Sequence, residues 1–72
     1  MFLSVFNGLN YSYSYETGTG HYLLYDNGYK SHAYLRGDDA RIFREQIEHI
    51  DTLKDPENKT GLLTENAISI YL

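Results

Sequence analysis

Between Tyr11 and Tyr15 the chain alternates strictly, Tyr-Ser-Tyr-Ser-Tyr. A period of two places the tyrosines on one side of a strand and the serines on the other. Gly18-Thr19-Gly20 interrupts that run, and β-prone stretches follow at residues 21–25 and 29–35. They flank Asp26-Asn27-Gly28. Asn-Gly favours a tight hairpin, because both turn positions then need positive φ. Met1 to Phe6 reads as a further strand. The first 36 residues therefore predict an antiparallel meander of three or four strands.

After Gly37 the period changes. Ala40, Phe43, Ile47 and Ile50 recur at spacings of three and four, with Ile42 and Leu53 flanking the stripe. That is the pattern of an amphipathic helix, from about Asp39 to Lys54 within the segment 38–55. Asp38 or Asp39 is placed to cap it by accepting its free N–H groups. Asp55-Pro56 should end it, since proline disfavours helical geometry in the preceding residue. Residues 56–61 then read as a polar loop. The C-terminus admits two readings. Thr64 can cap a short helix over 64–72, or Ile68, Ile70 and Leu72 can alternate as a strand. Glu65 and Asn66 favour the helix. The fold class is then α+β: three to four antiparallel strands, one long amphipathic helix packed across them and a short C-terminal helix. Phe2, Val5, Leu23, Leu35, Phe43, Ile47, Ile50, Ile68 and Leu72 are the expected core, because neither the helix stripe nor a sheet face is stable alone in water.

At 72 residues the chain is one small domain, which buries only roughly 60% of its unfolded surface. It has no cysteine, so neither a disulfide nor a thiolate zinc site can staple it. Oligomerisation or partner binding is the remaining route to more buried area. The apolar N-terminal run lacks a preceding basic residue and is broken at Asn7 and Gly8, so neither a signal peptide nor a membrane span is expected. A cytoplasmic location and no membrane partner follow from that reading.

Charge is unevenly placed. Residues 1–35 hold three charged side chains but seven of the eight tyrosines. Residues 38–57 hold seven carboxylates against three Lys/Arg, which equals the whole net charge of −4. An acidic chain is a poor generic ligand for phosphates, so direct nucleic-acid binding is not expected. A small patch of Lys30, Arg36, Arg41 and Arg44 is the exception to test.

Tyrosine at this density has three readings: core rings with their hydroxyls at the surface, anchors of a protein interface, or a base-stacking ladder. No Lys or Arg interleaves Tyr11, Tyr13 and Tyr15, which disfavours base stacking. The carboxylates Asp38, Asp39, Glu45, Glu48 and Asp51 read either as an ordinary solvated helix, paired through Arg41–Glu45 and Arg44–Glu48, or as a surface offered to a basic groove. His21 and His32 fall on neighbouring strands and His49 sits one turn from Glu45. None has a nucleophile and an orienting carboxylate in a recognisable pattern. Arg36-Gly37-Asp38 reads as a strand-to-helix turn, and Gly18-Thr19-Gly20 is too short for a phosphate loop. No catalytic residue, metal ligand or cofactor is therefore expected, and the chain is not read as an enzyme.

In size, charge and architecture, with a tyrosine-rich hairpin at Asp26-Asn27-Gly28 and a helix opening at Leu35-Arg36-Gly37-Asp38-Asp39-Ala40, the chain resembles the very small acidic inhibitors encoded by bacteriophages and mobile elements, anti-CRISPR proteins among them. The resemblance implies a stoichiometric protein–protein inhibitor of a host defence complex, with no chemistry of its own, and carries over no site residue. The residues expected to touch the partner are Tyr11, Tyr13, Tyr15, Asp38, Asp39, Glu45, Glu48 and Asp51. The alternatives are a self-assembling module that uses the tyrosine face or a sheet edge, and a small nucleic-acid-binding regulator.

Overall fold

The computed structural model describes residues 1–53 and 60–72. Four strands, β1 (Phe2–Asn7), β2 (Tyr11–Glu16), β3 (His21–Asp26) and β4 (His32–Leu35), pair antiparallel in chain order. Two helices follow, α1 (Asp38–Asp51) and α2 (Thr60–Ser69). The α+β architecture is the expected one.

The register decides which residues reach the core. Tyr13 pairs with Leu24 and Tyr15 with Tyr22, and Tyr22 with Leu35. Directly paired residues share a face, so Tyr13, Tyr22, Leu24 and Leu35 point together. They bury against Ala40, Phe43 and Ile50 of α1 and Ala67 and Ile68 of α2. Both helices therefore cover the same face of the sheet. Phe43 lies at the centre, its ring 5.1 Å from those of both Tyr13 and Tyr22.

Part of the expected core is displaced by this register. Leu23 sits out of phase with Tyr22 and Leu24, so it lies on the opposite face, half-buried. Phe2 pairs with Glu16 and takes that opposite face too, 43% exposed. Val5 falls where the β1–β2 register shifts between Ser4 and Phe6, and it remains 55% exposed. A bulge adds one unpaired residue to an edge strand, and here that residue is the valine. Leu35, Phe43, Ile50 and Ile68 are buried as expected, with Ile47 and Leu72 packed at the margin.

The turns also differ in detail. Asn27 and Gly28 do not adopt positive φ; Tyr29 does, at 57°. Asp26 and Ser31 pair at the hairpin base through Asp26 N–H to the Ser31 carbonyl (3.1 Å). The Tyr29 N–H reaches the Asp26 carbonyl at 3.0 Å. The connection is thus a longer loop than a two-residue turn. Its free N–H groups at Lys30 and Ser31 are taken by the Asp26 carboxylate, at 3.1 and 2.9 Å. A side-chain acceptor at the loop base thus closes the turn together with the left-handed Tyr29.

At the helix ends, neither Asp38 nor Asp39 caps α1. Gly37, at φ 62° and ψ −132°, holds the N-cap position with no side-chain cap. The two aspartates lie inside the first turn, where they favour the helix through its dipole. α1 ends at Asp51, and its expected last residues, Lys54 and Asp55, lie outside the described residues, as does the expected Pro56 stop. The C-terminal segment is helical, but it starts earlier than Thr64. Thr64 is buried inside α2, its hydroxyl donating to the Thr60 carbonyl at 3.0 Å. That back-bond satisfies the hydroxyl within the helix and removes its need to cap.

Candidate functional site

Of the eight residues expected at a partner surface, the structure gathers only some. Tyr13 is a core residue, 5% exposed, and offers almost no surface of its own to a partner. Burial pushes its hydroxyl pKa up to about 12, with the Asp51 charge and then Tyr22 adding to the effect. Tyr11 and Tyr15 share the helix-covered face and pack at the core margin. Asp38 and Glu45 lie exposed on α1, both drawn to Arg41, which meets Glu45 at 3.1 Å and Asp38 at 3.9 Å. Asp39 is exposed in the same turn. The tyrosine ladder and the full carboxylate row therefore do not form one surface. The ladder faces inward because the Tyr13–Leu24 register pairs it with the core residues of β3.

Tyr15 and Glu48 do come together, at a groove between β1 and α1. It encloses about 350 Å³ over Leu3, Val5, Tyr15 and Ile47, with Arg44 and Glu48 at its rim. Asp51 is close enough to raise the pKa of Tyr13, which lies in the floor. α1 crosses the sheet without reaching β1, so the apolar side chains at this edge have nothing over them. β1 is also an outer strand, pairing only with β2. A further depression of about 450 Å³ separates α1 from α2, between Ile42 and His49 on one side and Ala67 and Ile70 on the other.

Among the described residues no helix lies on the opposite face of the sheet. Near the β2–β3 turn the Tyr34 hydroxyl donates to Glu16 Oε1 at 2.6 Å, and Thr19 Oγ1 donates to the same oxygen at 2.7 Å. These two bonds, Tyr34 first, hold the Glu16 carboxyl below the usual glutamate range. His21 Nδ1 lies 2.8 Å from the Tyr34 hydroxyl. Since that hydroxyl's proton goes to Glu16, His21 must donate from Nδ1, which sets its tautomer. Further along the same face, Tyr25 and Tyr29 stack with ring centroids 5.7 Å apart and planes 10° from parallel.

Two residues that sequence reasoning passed over fasten the end of the sheet near Gly8. Glu65, 7% exposed, accepts the N–H groups of Asn10 (2.6 Å) and Tyr11 (3.0 Å) on one carboxylate oxygen, Oε1. Asn27 donates through Nδ2 to the Gly8 carbonyl at 2.7 Å and accepts the Ser12 hydroxyl at 2.6 Å. Glu65 carried a helix-start signal and Asn27 a turn signal, and neither signal encodes a long-range partner. Among the described residues no group of three or more His, Cys, Asp or Glu is placed to hold a metal ion. None of their helices is long and apolar enough to cross a membrane. Compared with protein-family models, curated proteins and solved structures, the chain matches none.

Proposed function

We propose that this chain is a small non-catalytic protein-binding domain that acts by occlusion, covering a basic surface of a larger partner. The groove along β1 carries the reading. Its floor is apolar and uncharged, its rim holds Arg44 and Glu48, and an unpaired strand edge runs beside it. Interface cores are depleted of charge and ringed by polar groups. A free strand edge adds main-chain hydrogen bonds to such a contact. The acidic excess of α1 supports a basic partner, because complementary charge speeds encounter and fixes orientation. The resemblance in size and charge to phage-encoded inhibitors makes a CRISPR effector, or another nucleic-acid-handling defence complex of the bacterial cytoplasm, the first partner class to test.

The experiment uses the natural chain, Val5→Asp and the double variant Glu45→Lys/Glu48→Lys as baits in bacterial lysate at two salt concentrations. Val5, Glu45 and Glu48 are exposed, so the fold tolerates the changes. One nucleic-acid-handling protein, held by the natural chain at low salt, weakened at high salt and lost from both variants, is the expected outcome. Its equal retention by Val5→Asp sinks the groove, and retention indifferent to salt sinks the electrostatic part.

A second reading has its own observation. Phe2-Leu3-Ser4-Val5-Phe6-Asn7 forms an outer strand without one charged side chain. Natural edges are usually guarded by lysine, proline or inward charges, and here only the bulge at Val5 serves. Pairing of β1 with β1 of a second copy would make the chain a self-assembling module. Light scattering that shows a monomer at every concentration eliminates it.

A further inference from the structure

Among the described residues Glu65 is the one charged side chain that is buried, 7% exposed. It lines a depression of about 310 Å³, between Phe6, Asn7, Gly8 and Leu9 at the end of β1 and Gly61 and Leu62 of α2. That volume lies at the lower end of the range for ligand sites. No other lining residue is charged, and Glu65 makes no ion pair with a described residue. A buried carboxylate without a counter-ion is costly, and a cation that meets it offsets the cost. Both of its hydrogen bonds from described residues, the N–H groups of Asn10 and Tyr11, fall on Oε1. Among those residues no donor reaches Oε2, so Oε2 is the acceptor left for an occupant. The two bonds also hold the carboxylate in place beforehand, which reduces the ordering cost of binding.

The walls narrow the occupant further. Leu9 is 84% exposed and Leu62 56%, so apolar surface stands in water on either side of the carboxylate. A Cβ on Gly61 would meet nothing within 4 Å, which leaves that side open to approach. An anion is repelled here, and a purely apolar ligand leaves the carboxylate unpaired. Lysine matches both parts, because its methylene stem lies along apolar surface while its ammonium seeks a polar end. Arginine matches less well: its planar fork engages two carboxylate oxygens, and Oε1 already carries two donors. An ammonium is a compact point charge that one oxygen can receive. We propose that this depression receives a lysine side chain of a partner protein, with the ammonium on Glu65 Oε2 and the stem against Leu9 and Leu62. The site shares no lining residue with the β1 groove and does not rest on that reading.

The test is a titration of the full chain, labelled with carbon-13 and nitrogen-15, by a capped pentapeptide with one lysine among glycines. The same peptide with norleucine or arginine in place of lysine, and free spermidine, are the comparison probes. Saturable shifts of the Glu65 side-chain carboxyl carbon and of the Leu9, Gly61 and Leu62 amides with the lysine peptide are expected. Arginine should bind more weakly and norleucine not at all. Glu65→Gln keeps an acceptor for the two N–H groups and removes the charge, so binding should weaken at least about tenfold in a chain that still folds. Leu62→Ser, at an exposed position, should weaken it about threefold through the lost stem contact. Absence of saturation with the lysine peptide overturns the proposal, as does equal binding of the norleucine or arginine peptide, or full affinity in Glu65→Gln. Tighter binding of spermidine than of the peptide overturns it in favour of a small polyamine. Lys59 precedes α2 and lies outside the described residues, so Lys59→Gln is measured without peptide. A shift of the Glu65 carboxyl carbon in that variant overturns the proposal by assigning the site to the chain's own lysine, and an unchanged resonance supports a partner's. Val5→Asp leaves every residue of this depression in place, so failure here and failure of the groove are told apart.

Discussion

Glu65→Ala removes a buried carboxylate whose Oε1 accepts two backbone N–H groups, from Asn10 at 2.6 Å and Tyr11 at 3.0 Å. These groups belong to the end of the β1–β2 turn and the first residue of β2, so the carboxylate joins α2 to the sheet. A hydrogen bond to a charged group is worth about 1.5–3 kcal/mol, and a donor left unpaired in the interior forfeits all of it. Asn10 is exposed and its N–H can turn to water, whereas Tyr11 is half-buried. The expected loss is therefore about 3 kcal/mol, between one full bond and two. Glu65→Gln keeps an oxygen acceptor and loses the charge, so it should cost about 1 kcal/mol. Typical stabilities of about 0.1 kcal/mol per residue make the alanine change a large fraction of the whole. Gly8 supplies the internal control. A Cβ there would stand 2.6 Å from both Glu65 Oε1 and the Tyr11 carbonyl oxygen, closer than real Cβ contacts allow. Gly8→Ala should thus cost more in the natural chain than in Glu65→Ala, with a coupling of about 1 kcal/mol. Urea unfolding followed by circular dichroism measures all five proteins: the natural chain, the three single variants and the Gly8→Ala/Glu65→Ala double variant. A Glu65→Ala loss below about 1 kcal/mol, equal losses for alanine and glutamine, or strict additivity with Gly8→Ala would each refute the reasoning.

Three further outcomes follow from the same structure. Phe43→Ala empties the fully buried site between Tyr13 and Tyr22 and should cost about 3–5 kcal/mol, enough to leave a largely unfolded spectrum at room temperature. Tyr34→Phe removes the main bond that lowers the Glu16 pKa, so a carbon-detected NMR titration should find Glu16 titrating higher in the variant. Because the folded value is the lowered one, the Glu16 contribution is complete above the ordinary glutamate range and is lost as pH falls through that folded value. Tyr13 has the opposite sign. Its folded pKa of about 12 lies above the unfolded value, so its stabilisation is complete below about pH 10 and falls away as pH rises toward 12. Absorbance at alkaline pH should show Tyr13 ionising together with unfolding, and a normal titration in the folded protein would remove it from the core.

The meander and both helices were legible because each is a local pattern. The Tyr11–Tyr15 alternation set β2, and the 40–43–47–50 stripe set α1. Which face of β2 turned inward was not legible, since it depends on pairing with β3 over a separation of several residues. One step in that pairing exchanges Leu23 for Leu24 and decides whether three tyrosines face the core or a partner. The same limit hid Glu65, a charged residue whose burial makes sense only once two backbone donors 54 and 55 residues away come within reach. Val5 carried a strand signal, yet nothing local showed that a bulge would leave it outside the core. The groove arises from such long-range placements, which is why the expected contact residues fit the structure only in part.

The allocation of aromatic rings explains how so short a chain folds while part of its sheet stays uncovered. Tyr13 and Tyr22 reach the centre, where each ring buries a large area for few rotatable bonds, and Phe43 meets both edge-on. Few residues then suffice for the core. β1 and the uncovered face remain unclaimed by packing. α1 carries five carboxylates against two arginines, and one of the carboxylates, Glu48, stands at the β1 groove. A basic partner of the kind proposed would be drawn to the groove by the carboxylates of α1, and raising the salt concentration should accordingly weaken its binding there.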